Sequence, residues 1–236
     1  MPSEDWIEAG RPFLRYVDQW CRGLPRLAID RTSADPLQAA IVSVDVINGF
    51  CNEGPLASPR VNALIPHIVA LFERAWAQGI RQIVLAQDTH EPDAVEFGQF
   101  PPHCVRGTSE SETVSEFKAL PFFDRMTIFP KNSIQSGLNT GLSDWVAGHP
   151  AIGTYIVVGD CTDLCTYQLA MHLRLDANAR QLQRRVVVPA DCVDTYDLPV
   201  DVGATIGAVP HDAGLLHRVF LYSLMLNGVE VVAALV

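Results

Sequence analysis

Asp45, Lys131 and Cys165 are the residues of this chain whose types and settings suit nucleophilic chemistry. Cys165 stands in GDCTDLCTYQLAMHL, which runs from an apolar stretch through a short turn into a helical pattern. Its thiol is therefore expected near a helix N-terminus, where free backbone N–H groups and the positive end of the dipole favour thiolate. An ammonium beside the sulfur would lower its pKa further, and a carboxylate can accept the thiol proton. Lys131 and Asp45 supply those two groups, and backbone N–H groups of the same turn can form an oxyanion hole. The chemistry expected is attack of sulfur on a carbonyl carbon. A cysteine nucleophile more often pairs with histidine, so a Lys–Asp pairing needs a precedent.

These residues must be brought together by the elements around them. Six apolar, β-branched runs punctuate the chain, at 40–46, 80–88, 125–131, 153–161, 184–192 and 228–236. Most are continuous rather than alternating, which suits strands covered on both faces. Helical patterns at 61–78, 162–176 and 212–226 lie between several of them. The alternation predicts an α/β fold in three layers, a mostly parallel six-stranded sheet with helices on both faces. In such sheets ligands bind beyond the carboxyl ends of the strands. Asp45 closes the first run, Asp88 the second with His90 just beyond it, and Lys131 the third, while the Cys161–Cys165 turn follows the fourth. Singly, each has a plainer use: Asp45 and Asp88 can cap turns or helices, and a free Cys commonly serves as a small buried hydrophobe. Their convergence on one rim favours a site.

Composition narrows the function classes. The 236 residues are 48% hydrophobic and 19% charged, which describes a globular core. Seventeen Lys+Arg against 27 Asp+Glu give a formal net charge of -10, which argues against a nucleic-acid partner. No run reaches the roughly 18 apolar residues of a membrane span, and the acidic MPSEDWIEAG start does not read as a signal peptide. Six sparse cysteines without a CxxC pair fit a reducing cytoplasm. Residues 1–39 are expected to form a helical extension packed on the flank of a domain spanning 40–236, with subunit contact as the other use.

The precedent for the Lys–Asp pairing lies in a family. VDVINGFCNEGPL (44–56), FPKNSIQSG (129–137) and VVGDCTDLCTYQLA (157–170) resemble, in that order, the three motifs of the isochorismatase-like cysteine hydrolases. The resemblance implies a catalytic triad of Asp45, Lys131 and Cys165. It also implies an oxyanion hole from the backbone N–H groups of Cys161 and Cys165, with a cis peptide at Asp160–Cys161. QDTHEPDAVEFGQFPPHCVRGTSESE (87–112) resembles the metal segment of the nicotinamidase/pyrazinamidase branch. Asp88, His90 and His103 are the implied ligands, with Glu96 as a further carboxylate. Two imidazoles with one or two carboxylates suit one divalent ion, Zn²⁺ first, with Fe²⁺ or Mn²⁺ as alternatives. Thr89 and Phe100 stand where many members of the branch carry Trp.

The implied activity is hydrolysis of nicotinamide to nicotinate and ammonia through a Cys165 thioester. The alternative is a family hydrolase acting on another small amide or carbamoyl compound. Phe50 and Phe100 are expected to flank the substrate ring, together with Cys161. A homo-oligomer is expected. Asp163 and Asp191 read as caps, Cys51 and Cys104 as packing residues, and His172, His211 and His217 as structural.

Overall fold

Runs such as AAIVSV become fully buried strands because β-branched side chains on both faces of an extended chain need cover from both sides. The computed structural model describes residues 5–236; residues 1–4 of the acidic N-terminus lie outside the described residues. In chain order the first elements are helix α1 (Trp6–Arg22) and strands β1 (Arg26–Leu27) and β2 (Ala39–Val44). There follow α2 (Asn48–Cys51), α3 (Pro59–Asn62), α4 (Ile65–Ala77), β3 (Gln82–Asp88), α5 (Ser115–Lys118) and β4 (Thr127–Lys131). The second half contributes α6 (Leu142–Gly148), β5 (Thr154–Asp160), α7 (Cys165–Ala179), β6 (Arg185–Pro189) and β7 (Val193–Asp194). The chain closes with α8 (Val200–Ile206), α9 (Ala213–Leu226), β8 (Glu230–Val232) and β9 (Ala234–Leu235).

The main sheet runs β4-β3-β2-β5-β6-β8, with every pairing parallel. On one face Ile41, Ile83, Leu85, Ile156 and Val158 pack against Ile68, Leu71 and Phe72 of α4. On the other, Val42, Val84, Tyr155 and Val157 meet Leu169 and Leu173 of α7, Val146 of α6 and Leu221 of α9. Three layers result. α1 lies against α9, where Tyr222 meets the edges of Phe13 and Trp20.

The six expected strands are present, but the sheet has seven. After Pro189 a 3₁₀ turn over Ala190–Cys192 interrupts the fifth run, and β7 pairs again with β5. The sixth run also divides: beyond β8, β9 pairs in parallel with β1 in a separate two-stranded sheet. The helical pattern at 61–78 divides likewise, because Pro66 in the first turn of α4 starts a new helix after α3.

Strand order reverses between β2 and β5, which makes the gap beyond their carboxyl ends a topological switch point. Asp45 follows β2 there, and the Cys161–Cys165 turn follows β5. Gly159, at φ 109°, allows the two strands to close up, since a Cβ on it would fall 2.0 Å from the Val44 carbonyl oxygen.

Candidate active site

Register alone makes neighbours of Asp88 and Lys131, which are Cα partners at the end of the β3–β4 ladder. Lys131 Nζ donates to Asp88 Oδ1 at 2.6 Å and lies 2.8 Å from Asp45 Oδ2. The Ser133 carbonyl accepts from it at 3.2 Å, and Cys165 Sγ stands 3.7 Å away. Asp45 itself adopts a left-handed backbone (φ 57°), which Asp tolerates better than most residues. That conformation turns its carboxylate back into the sheet end, where Oδ1 accepts from the Asp88 amide at 2.8 Å. Lys131 and Asp45 are each 1% exposed, Asp88 2% and Cys165 8%.

One buried ammonium thus faces two buried carboxylates and a buried thiol. Burial, reinforced by the Asp88 charge and opposed by Lys131, pushes the Asp45 carboxyl up to about 7. Burial acts on Asp88 in the same direction, but the Lys131 ammonium opposes it, and that carboxyl is held below its usual range. Burial also raises the Cys165 thiol well above its usual value, against the pull of Lys131. Burial therefore favours the thiol, against the thiolate that the helix N-terminus alone suggests. Its proton must leave as the sulfur attacks, and Asp45 is the carboxylate poised to take it.

Cys165 is the first residue of α7. The turn before it wraps around the Cys161 carbonyl, which accepts from the Leu164 and Thr166 amides, both at 3.1 Å. The Asp160–Cys161 peptide is cis. Among the described residues the Cys161 and Cys165 amides have no hydrogen-bond acceptor, so both remain free for a developing oxyanion.

Asp88, His90 and His103 bring their ligand atoms within 4.8 Å of one another, all three buried. Each imidazole is oriented from behind. Asn132 Oδ1 accepts from His90 Nδ1 at 2.9 Å, and the Pro101 carbonyl accepts from His103 Nδ1 at 2.8 Å. Both Nε2 atoms then present lone pairs toward the Asp88 carboxylate, at 3.4 and 3.9 Å. His90 Nε2 is buried and makes no hydrogen bond. Lone pairs facing a carboxylate call for a cation between them, so the donor set fits a divalent ion. Asp45, Asp88 and Cys165 also cluster, but Lys131 already supplies the positive charge among them. Glu96 lies outside the three-ligand group, in the 3₁₀ turn Val95–Gly98, near enough for its charge to act on both imidazoles.

Phe50, buried beside the site, lies 5.6 Å from the His103 ring, and Phe100 lies 6.2 Å from it. Sequence reasoning missed Phe97, whose ring stands 5.4 Å from His90 and 5.7 Å from His103. It also missed Asn132 and the buried Asp160, whose Oδ2 accepts from Cys161 Sγ at 3.7 Å. An amide side chain directly after the Lys motif was the available signal for Asn132. Replacing Asn132 by Ala is expected to weaken Zn²⁺ binding by about ten- to hundredfold with the fold intact. Competition with a chelator checks this.

Among the described residues no helix is long and apolar enough to cross a membrane. Comparison with known proteins gives three kinds of match. The isochorismatase domain model matches residues 39–205. Nicotinamidase 1 of Arabidopsis thaliana is 34% identical over 209 residues, covering 82% of this chain and 84% of that protein. Among solved structures, nicotinamidase from Bacillus subtilis aligns with a TM-score of 0.63 at 22% identity, over 83% of this chain and 99% of that one. Pyrazinamidase of Pyrococcus horikoshii in complex with zinc aligns with a TM-score of 0.63 at 20% identity, over 83% and 98%. N-carbamoylsarcosine amidase from Thermoplasma acidophilum aligns with a TM-score of 0.61 at 23% identity, over 82% and 94%.

Proposed function

The chain belongs to the isochorismatase family, as a hydrolase of amide C–N bonds, and from that premise we propose that it converts nicotinamide to nicotinate and ammonia. The observation that carries the reading is one rim holding both Lys131, shared by Asp45 and Asp88 beside Cys165, and the imidazole pair His90 and His103. Asp88, His90 and His103 would hold a divalent ion, Zn²⁺ in preference to Fe²⁺ or Mn²⁺, and that ion would supply Lewis acidity toward a pyridine nitrogen. Phe50, Phe97 and Phe100 wall the ring, which holds the carboxamide carbon beside Cys165.

The thiol proton passes to Asp45 as Sγ bonds to the carboxamide carbon. The Cys161 and Cys165 amides donate to the oxyanion that forms. Asp45 then returns the proton to the departing nitrogen, the C–N bond breaks, and ammonia leaves a Cys165 thioester. A water molecule that gives its proton to Asp45 attacks the thioester, releasing nicotinate and restoring the thiol. Lys131 keeps the pocket near charge balance through each transfer, because its ammonium faces both carboxylates at less than 3 Å. The proposed setting is a reducing cytoplasm, and the proposed assembly a homo-oligomer.

The test is ammonia release from nicotinamide compared with pyrazinamide and an N-carbamoyl amino acid. A kcat/KM for nicotinamide at least tenfold above that for the carbamoyl compound is expected. The reverse order would assign the same cysteine chemistry to carbamoyl substrates.

A further inference from the structure

The turn that carries Cys165 is braced from behind by histidines the mechanism does not use. His211 faces an acceptor with each ring nitrogen: Nε2 lies 2.8 Å from Asp163 Oδ2, and Nδ1 lies 2.8 Å from the Tyr196 carbonyl oxygen. Neither oxygen has a proton to give, so both contacts are satisfied only when the imidazole carries both N–H groups and is a cation. The shifts agree with the geometry. Burial alone would lower His211, yet Asp163 holds it above its usual range, and His211 in turn holds the Asp163 carboxyl low. The Tyr196 ring stacks on the imidazole with centroids 3.9 Å apart. Leu198 and His211 exchange backbone hydrogen bonds at 2.8 Å in both directions, which closes the base of the 199–210 excursion. One residue before Asp163, the Thr162 amide donates to the Asp194 carbonyl at 3.0 Å, and its hydroxyl meets His217 Nδ1 at 2.9 Å.

Asp163 is two residues from Cys165. Left unanchored, the turn would lose the aim of its two free amides.

We propose that His211 is a positioning residue of the amide hydrolysis: through its hydrogen bond to Asp163 it fixes the Cys161–Cys165 turn. The role rests on the amidase reading above. Two variants separate its contacts, because the carboxamide of Gln reaches where Nε2 sits and that of Asn where Nδ1 sits. His211→Gln keeps the donation to Asp163, and His211→Asn keeps only that to Tyr196.

Both are compared with the unsubstituted protein for kcat and KM on nicotinamide, Zn²⁺ affinity, and the rate of Cys165 alkylation by iodoacetamide. The alkylated Cys165 peptide is followed by mass spectrometry. His211→Asn is expected to lower kcat and the alkylation rate together by about tenfold or more, with KM and Zn²⁺ affinity within about threefold. His211→Gln is expected to stay within about threefold on every measure. Equal behaviour of the two variants, or a greater loss in Gln, would overturn the proposal. Failure of the unsubstituted protein to release ammonia from nicotinamide would instead remove the substrate assignment, and the alkylation rates would still judge the brace.

Discussion

Replacing Cys165 by Ala is expected to lower ammonia release from nicotinamide by a factor on the order of 10⁴ or more while the protein stays folded. The rate falls because sulfur is the bond-forming atom. With it gone, Asp45 has no proton to accept, and the amides of the turn have no tetrahedral adduct to hold. The fold survives because the change removes one atom from a side chain at the first position of α7, where the sulfur lies at the edge of the core 3.7 Å from Lys131 Nζ. A loss of about 1 kcal/mol moves the thermal midpoint by only about 2–4 °C in a chain of this size. Parallel assays of ammonia release and thermal unfolding check both halves. Turnover near that of the unsubstituted protein would remove Cys165 from the mechanism.

Replacing Lys131 by Met is expected to cost both stability and activity. Met nearly matches the volume of the lysine stem but supplies no charge, so Asp45 and Asp88 lose the cation they share at 2.8 and 2.6 Å. Removing one partner of a buried ion pair typically costs about 3–5 kcal/mol, because the other charge stays behind without water. That loss corresponds to a fall of roughly 6–20 °C in thermal midpoint. The measurement belongs on metal-free protein, where no other cation compensates Asp88. An unchanged midpoint would mean that the triad's charge balance does not depend on Lys131.

The two variants divide the site by role. In the proposed mechanism Cys165 makes the bond, and its loss is expected to be felt in rate. Lys131 faces two buried carboxylates, and its loss is expected to be felt in the whole fold. Asp45 connects them: it accepts a hydrogen bond from the Asp88 backbone while its other oxygen faces the ammonium.

Much of this was legible in the sequence where one property dominates a stretch. Runs such as AIVSV and TYIVVG have no polar alternative, so their strands and the residues that end them could be placed. Asp45, Asp88, Lys131 and Cys165 then fall on one rim by topology alone. Short-range polar chemistry was less legible. β7 consists of two residues, and β9 depends on pairing with β1 some 200 residues earlier in the chain. Phe97 and Asn132 gain their places beside the imidazoles only when the loops after β3 and β4 fold together, which no local period records. His211 looked structural because its partner, Asp163, lies 48 positions away. The depth of burial at Cys165, which acts against the helix end and Lys131, is likewise not visible in sequence.

Ammonia release from nicotinamide by one preparation, measured as purified, after stripping with a chelator, and after Zn²⁺ is returned, tests the central claim most directly. Turnover is expected to fall on stripping and to recover with Zn²⁺. Absence of ammonia in all three states, with Cys165 still alkylated by iodoacetamide, would contradict the claim, leaving a cysteine hydrolase whose substrate is not nicotinamide.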